Sequence, residues 1–374
     1  MSSTPDRTVR RCARLVAVLV MMTLSSGTTC AKERPRPVAE APSIRHLLQN
    51  VGDVPLGRAT NRMDYQSLDP TTHRLYIAGM GAGKLVVVDV EQNNVAASLN
   101  GFPKVTGVLV VPELHKVYAS VPGAGLIPSL SVALGMVGLS SGRAAVVIVD
   151  ASTLHEIARI PAGVFPDGIA YDREDRRIFV SDELGSAVSV IDGDSNRLIA
   201  RIALGGEVGN VRYDPITDRV YAPIQSRNEL AVIDPANLKL IARRPLRGGK
   251  HPHGLAIAPG QAIGYVACDG NDRLLTVDLA TVKVLDNQPA AHDPDVLAID
   301  PQKRRLYVAS ESGKLSTFDI TDVTRPRSVG DLFVGQDAHS VAVDPENHRL
   351  YFPLADVKGK SVLRVLVPAE GKPQ

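Results

Sequence analysis

A chain of 374 residues with 44% hydrophobic residues can bury a large core, yet only 4% are aromatic and none is Trp. Val, Leu, Ile and Ala must therefore build that core, and most of these favour strands. A formal charge of +2 offers no basic footprint for nucleic acid, and three cysteines exclude a disulfide framework as the support of the fold.

In chain order, Arg7, Arg10, Arg11 and Arg14 precede an apolar run from Leu15 to Leu24, followed by small polar residues. This is the pattern of an export signal over residues 1–31, too short to span a bilayer as a helix. Cys12-Ala13-Arg14 after the arginine pair fits the twin-arginine route poorly, so the general secretory route is expected, with a periplasmic or secreted destination. Cys30 is where a lipid anchor would attach, although Gly27 and Thr29 stand where such a signal prefers Leu and a small Gly, Ala or Ser. A membrane contact is expected only through that lipid. Loss of residues 1–31 removes four Arg and one Asp and takes the formal charge to −1. Cys268 is then left without an obvious partner. Residues 32–43, with Arg34-Pro35-Arg36-Pro37, read as a linker.

Over residues 44–368 one aromatic strand recurs seven times: Leu75-Tyr76-Ile77, Val117-Tyr118-Ala119, Ile178-Phe179-Val180, Val220-Tyr221-Ala222, Gly264-Tyr265-Val266, Leu306-Tyr307-Val308 and Leu350-Tyr351-Phe352. The aromatics stand 42, 61, 42, 44, 42 and 44 residues apart, the per-blade period of a propeller. Each copy follows a short apolar strand and a turn, as in Val296-Leu297-Ala298-Ile299-Asp300-Pro301. A third strand follows and ends six times in Asp, at Asp89, Asp150, Asp192, Asp234, Asp278 and Asp319, which read as turn formers rather than catalysts. A fourth, more polar strand such as Leu198-Ile199-Ala200-Arg201-Ile202 completes the repeat as an outer edge. The seventh repeat stops after its third strand, Ser361 to Val367, before a tail at 369–374. The stretch Leu47 to Gly57 resembles the outer strands and can supply the missing one. The fold class is therefore all-β: a seven-bladed β-propeller of four-stranded antiparallel blades, closed by an N-terminal strand.

These strands resemble the YVTN-type β-propeller repeat proteins over roughly residues 44–368. Tyr265-Val266-Ala267-Cys268, Tyr307-Val308-Ala309-Ser310 and Phe179-Val180-Ser181-Asp182 follow that pattern, while Tyr221-Ala222-Pro223-Ile224 and Tyr351-Phe352-Pro353-Leu354 depart from it. The resemblance implies an exported propeller with a binding role.

Antiparallel order puts the starts of the first strands and the turns between second and third strands at one funnel mouth. The 61-residue interval places a 19-residue insertion in one such turn, residues 124–142, apolar and Gly-flanked. It reads as a lid or partner contact. Phosphate-cradling loops, nucleophile elbows, His-Glu-x-x-His and Cys-x-x-Cys are absent from the sequence. The polar constellation lies before three successive first strands: His251-Pro252-His253, Asp293-Pro294-Asp295 and Asp337-Ala338-His339, with Asp64, Thr106, Asp167 and Gly209 at the matching positions elsewhere. Pro-His-Gly and Pro-Asp-Gly also serve as plain turns where a strand begins.

Two functions follow. As a binding module, the protein takes a small molecule or protein partner at its funnel through Asp64, Asp167, His253, Asp295 and His339. As an enzyme, it is a metal-dependent lyase or hydrolase with a divalent metal among His251, His253, Asp293, Asp295, Asp337 and His339. Imidazole mixed with carboxylate suits zinc, manganese or iron better than calcium. Nucleic acid ranks third, for want of basic charge.

Overall fold

The computed structural model describes residues 48–122 and 144–369. The export signal, Cys30, the linker, the insertion at 124–142 and the tail from residue 370 lie outside the described residues.

Strand-forming residues alternating at period two give seven separate four-stranded antiparallel sheets among the described residues. Blade 1 runs Gln66–Asp69, Arg74–Gly79, Lys84–Asp89 and Asn94–Asn100, and blades 2 to 6 repeat it in chain order. Blade 7 is assembled from both sides of the chain. Its strands Ala342–Val343, Leu350–Val357 and Lys360–Pro368 are completed by Leu48–Arg58, which pairs antiparallel with Lys360–Pro368 from Leu48 opposite Pro368 to Arg58 opposite Lys360. Arg364 holds Asp53 through two hydrogen bonds of 2.8 and 2.7 Å across that pairing.

The core lies between blades rather than within one. Phe179, Val188 and Val190 of blade 3 pack against Val220, Ala222 and Ile233 of blade 4, and Val54 and Leu363 of blade 7 join Leu75 and Ile77 of blade 1. A single sheet is apolar on both faces of its middle strands and cannot be stable alone.

The recurring aromatic has a physical reason beyond area. Tyr76, Tyr221 and Tyr265 are buried, and each hydroxyl donates to a backbone carbonyl of the next blade: Ala151 at 3.3 Å, Leu279 at 2.8 Å and Val323 at 2.9 Å. Phe179 has no hydroxyl, and Arg177, two residues earlier, donates instead to the Pro235 carbonyl. The Tyr118 hydroxyl is buried without a hydrogen-bond partner, while Lys116 reaches the Gly193 carbonyl at 2.6 Å. This contrast makes a prediction. Tyr221→Phe will cost about 1–2 kcal/mol in urea unfolding because it orphans a buried carbonyl. Tyr118→Phe will be neutral or stabilising, since it removes a polar atom that nothing satisfies. Equal losses in the two variants would show that the hydroxyl ties contribute nothing.

The six aspartates that end third strands accept amide hydrogen bonds from residues two or three further on, as Asp89 does from Glu91 at 3.0 Å and Gln92 at 2.8 Å. Asp150, Asp192, Asp234, Asp278 and Asp319 do the same. They are turn formers. Cys268 is a buried free thiol.

Candidate functional site

Twelve residues before each recurring aromatic stands the residue that opens a first strand: Asp64, Thr106, Asp167, Gly209, His253, Asp295 and His339. Four residues after each aromatic stands the residue that opens the next turn: Met80, Pro122, Glu183, Gln225, Asp269, Glu311 and Ala355. Five of each set, Asp64, Thr106, Asp167, His253 and Asp295 with Met80, Glu183, Gln225, Asp269 and Glu311, line one cavity of about 450 Å³. Its walls carry seven carboxylates, Asp64, Asp167, Glu183, Asp269, Asp293, Asp295 and Glu311, against one guanidinium, Arg62, and the imidazoles of His251 and His253. Phe165 and Met80 supply apolar surface. The Phe165 backbone is fixed by the buried Asp182, which accepts its amide at 2.7 Å and is itself paired with Arg201.

Glycines let the first strands come this close. A Cβ on Gly107 or Gly254 would overlap the carbonyl oxygen of Asp167 or Asp295 in the next blade, and one on Gly209 would lie 2.6 Å from the His253 carbonyl. Gly107, Gly209 and Gly254 are thus part of how the site is built.

Across the floor, the Tyr65 hydroxyl lies 3.0 Å from Nε2 of His253 and accepts from Nδ2 of Asn210 at 2.7 Å, joining blades 1, 4 and 5. Tyr65 also lines a second cavity of about 360 Å³ on the far side, together with Asn210 and Arg212. His253 is further held by Gln225 Oε1 at 3.1 Å from its Nδ1 and by Asp295 Oδ1 at 3.4 Å from its Nε2. His339 is 1% exposed; its Nδ1 lies 3.0 Å from the Asp337 carbonyl, and its Nε2 stands 3.7 Å from Asp64 Oδ1. Arg62 clamps Glu311 through two hydrogen bonds of 2.6 and 3.3 Å.

Protons are shared unusually here. Burial alone would lower the pKa of His253, but Asp295, Asp167 and Glu183 outweigh it and raise it to about 9. His339 follows the same course to about 9, against burial, through Asp64, Asp295 and Glu311. Burial pushes Asp295 up to about 6 despite both imidazoles, and burial with the charges of Glu183 and Asp64 raises Asp167 well above the usual range. Glu311 goes the other way: burial would raise it, yet Arg62 and His339 hold it lowered. Such a crowd of carboxylates around a concave site favours any cation that enters.

Of the residues the sequence singled out, the structure brings Asp64, Asp167, His253, Asp295 and His339 together on the inner ring. His251, Asp293 and Asp337 sit two residues earlier, with φ of 50°, 61° and 56°. They take the left-handed conformation that His and Asp tolerate better than most side chains, so their residue types serve the turn. His251 pairs with Asp269 in the cavity wall at 2.6 Å, and the Asp337 carbonyl orients His339. The group whose ligand atoms all lie within 4.8 Å of one another is Asp295, Glu311 and His339. Glu311 was not among the residues picked out by sequence, nor were Glu183, Gln225, Asp269 and Arg62. The fixed offset of four residues after each aromatic was the signal that would have found the first four.

No protein-family model matches the chain, and no curated protein matches it. Among solved structures it is similar to one described as Kuenenia stuttgartiensis hydrazine synthase, with a TM-score of 0.66 and 17% identity over 80% of this chain and 94% of that one. It is similar also to a chain of the mitotic checkpoint complex, with a TM-score of 0.66 and 11% identity over 91% and 99% of the two chains. At these identities the likeness shows the β-propeller fold alone.

Proposed function

We propose that this chain is an exported YVTN-type propeller that acts as a binding module, taking the cationic group of a small molecule or protein partner into its funnel. The observation that carries the reading is the seven-to-one excess of carboxylates over guanidinium around the mouth cavity. A low-dielectric concave wall of one sign concentrates the opposite charge and repels phosphate, which places nucleic acid last. Phe165 adds an aromatic face for a cationic head.

Calorimetry with a diamine, a Lys-rich peptide and a dicarboxylate as probes tests this. The cations are expected to bind and to weaken as salt rises, and Asp167→Asn with Glu183→Gln is expected to reduce their affinity roughly tenfold or more. Binding of the dicarboxylate in their place would overturn the reading.

The convergence of Asp295, Glu311 and His339 favours a second reading, a metal-dependent lyase or hydrolase in which the ion polarises a substrate oxygen.

A further inference from the structure

The funnel floor contains two buried polar atoms that make no hydrogen bond, Oδ1 of Asp295 and Nε2 of His339, each with only an ion-pair neighbour, His253 Nε2 at 3.4 Å and Asp64 Oδ1 at 3.7 Å. Buried polar atoms are rarely left so, because each forfeits its hydration without compensation. Both belong to the one group of His, Cys, Asp and Glu side chains among the described residues whose ligand atoms cluster tightly, completed by Glu311. From these facts we infer that the floor is a divalent transition-metal site with Asp295, Glu311 and His339 as ligands and Asp64 as the fourth.

Three details fit that assignment. With Nδ1 of His339 facing the Asp337 carbonyl at 3.0 Å, that nitrogen is the one that keeps its hydrogen when an entering ion displaces the other, so Nε2 is the atom that turns to the ion. This is the outer hydrogen bond by which metal-binding histidines are commonly oriented. Glu311 is held by Arg62 through both oxygens, so its carboxylate is kept ionised and in place. Asp64 Oδ1 is already 3.7 Å from Nε2. Ligand atoms on opposite sides of an octahedral ion stand roughly 4.2 Å apart at bond lengths of about 2.1 Å, so a group spread over no more than 4.8 Å closes with small side-chain rotations. One imidazole with several carboxylates selects manganese, iron or zinc over calcium. The site deepens the cation-funnel reading and rests on it.

The test uses protein purified without a metal-affinity tag, stripped with chelator and dialysed, then titrated with Mn²⁺ by electron spin resonance and with Zn²⁺ by calorimetry. One equivalent is expected, and Glu311→Gln and His339→Ala should each weaken it roughly 10- to 100-fold or more. His292→Ala, at the exposed His292 to Asp272 pair outside the cavity lining, should leave it unchanged. Should His339→Ala fail to fold, Glu311→Gln, isosteric and only partly buried, decides the question alone. Parent protein that takes up neither ion while still binding the diamine overturns the metal site and leaves the funnel reading standing. Loss of metal in His292→Ala but not in Glu311→Gln overturns the assignment too. Failure of both metal and diamine removes the funnel reading with it.

Discussion

A chain begun at Asn61 is expected to lose its single cooperative urea transition, or to unfold at a clearly lower midpoint than the full chain. Such a chain lacks Leu48–Arg58 and leaves Lys360–Pro368 as an open apolar edge. Burying Leu48 and Val54 contributes about 3–6 kcal/mol by itself, before the lost backbone pairing and the Asp53 to Arg364 ion pair are counted. The effect should spread, because Val54 packs with Leu75 and Ile77 of blade 1 as well as with Leu363 of blade 7. A chain begun at Ser43 is the control and should match the parent. Unchanged midpoint and cooperativity in the Asn61 chain would remove this strand from the folding unit.

Gly254→Ala should be the most damaging single methyl in the protein, with Gly107→Ala close behind. The new Cβ would overlap a backbone carbonyl of the next blade, and at Gly254 it also meets Leu297 Cδ1 at 2.6 Å. Overpacking of this kind costs about 1–3 kcal/mol where side chains can yield, and more where the obstacle is backbone. Gly209→Ala, 2.6 Å from its nearest carbonyl, should be milder. Thermal melts of the three variants give the order directly. Gly254→Ala should also lower cation affinity by displacing Asp295, and a variant that melts and binds like the parent would show that the blades have slack at the axis.

Much of this architecture was legible because the period is carried by side chains with a geometric duty. The aromatic of each second strand is buried, and in blades 1, 4 and 5 its hydroxyl reaches the next blade, so its spacing reports the blade length. The inner ring was legible too, since Pro and Gly frame it at 166–168 and 252–254. At three positions the residue type answers to two jobs at once. His251, Asp293 and Asp337 combine residue types that bind metals with the positive φ that His and Asp tolerate, so sequence alone cannot separate the two duties. The second ring was hidden for the opposite reason. Its positions hold Met80, Pro122 and Ala355 as well as Glu183, Gln225, Asp269 and Glu311, so no residue type marks it, only a constant offset.

The Tyr65 bridge to His253 and Asn210 has a consequence for transport. A propeller axis is often imagined as a pore, yet here a phenol ring stands between the acidic cavity and the chamber beside Arg212. Among the described residues, the Tyr65 hydroxyl and its two partners therefore lie between two cavities rather than in one continuous channel. Passage between the two cavities along the axis would require those two hydrogen bonds to break and the phenol ring to turn aside, so the bridge, rather than the width of the mouth, sets what could cross.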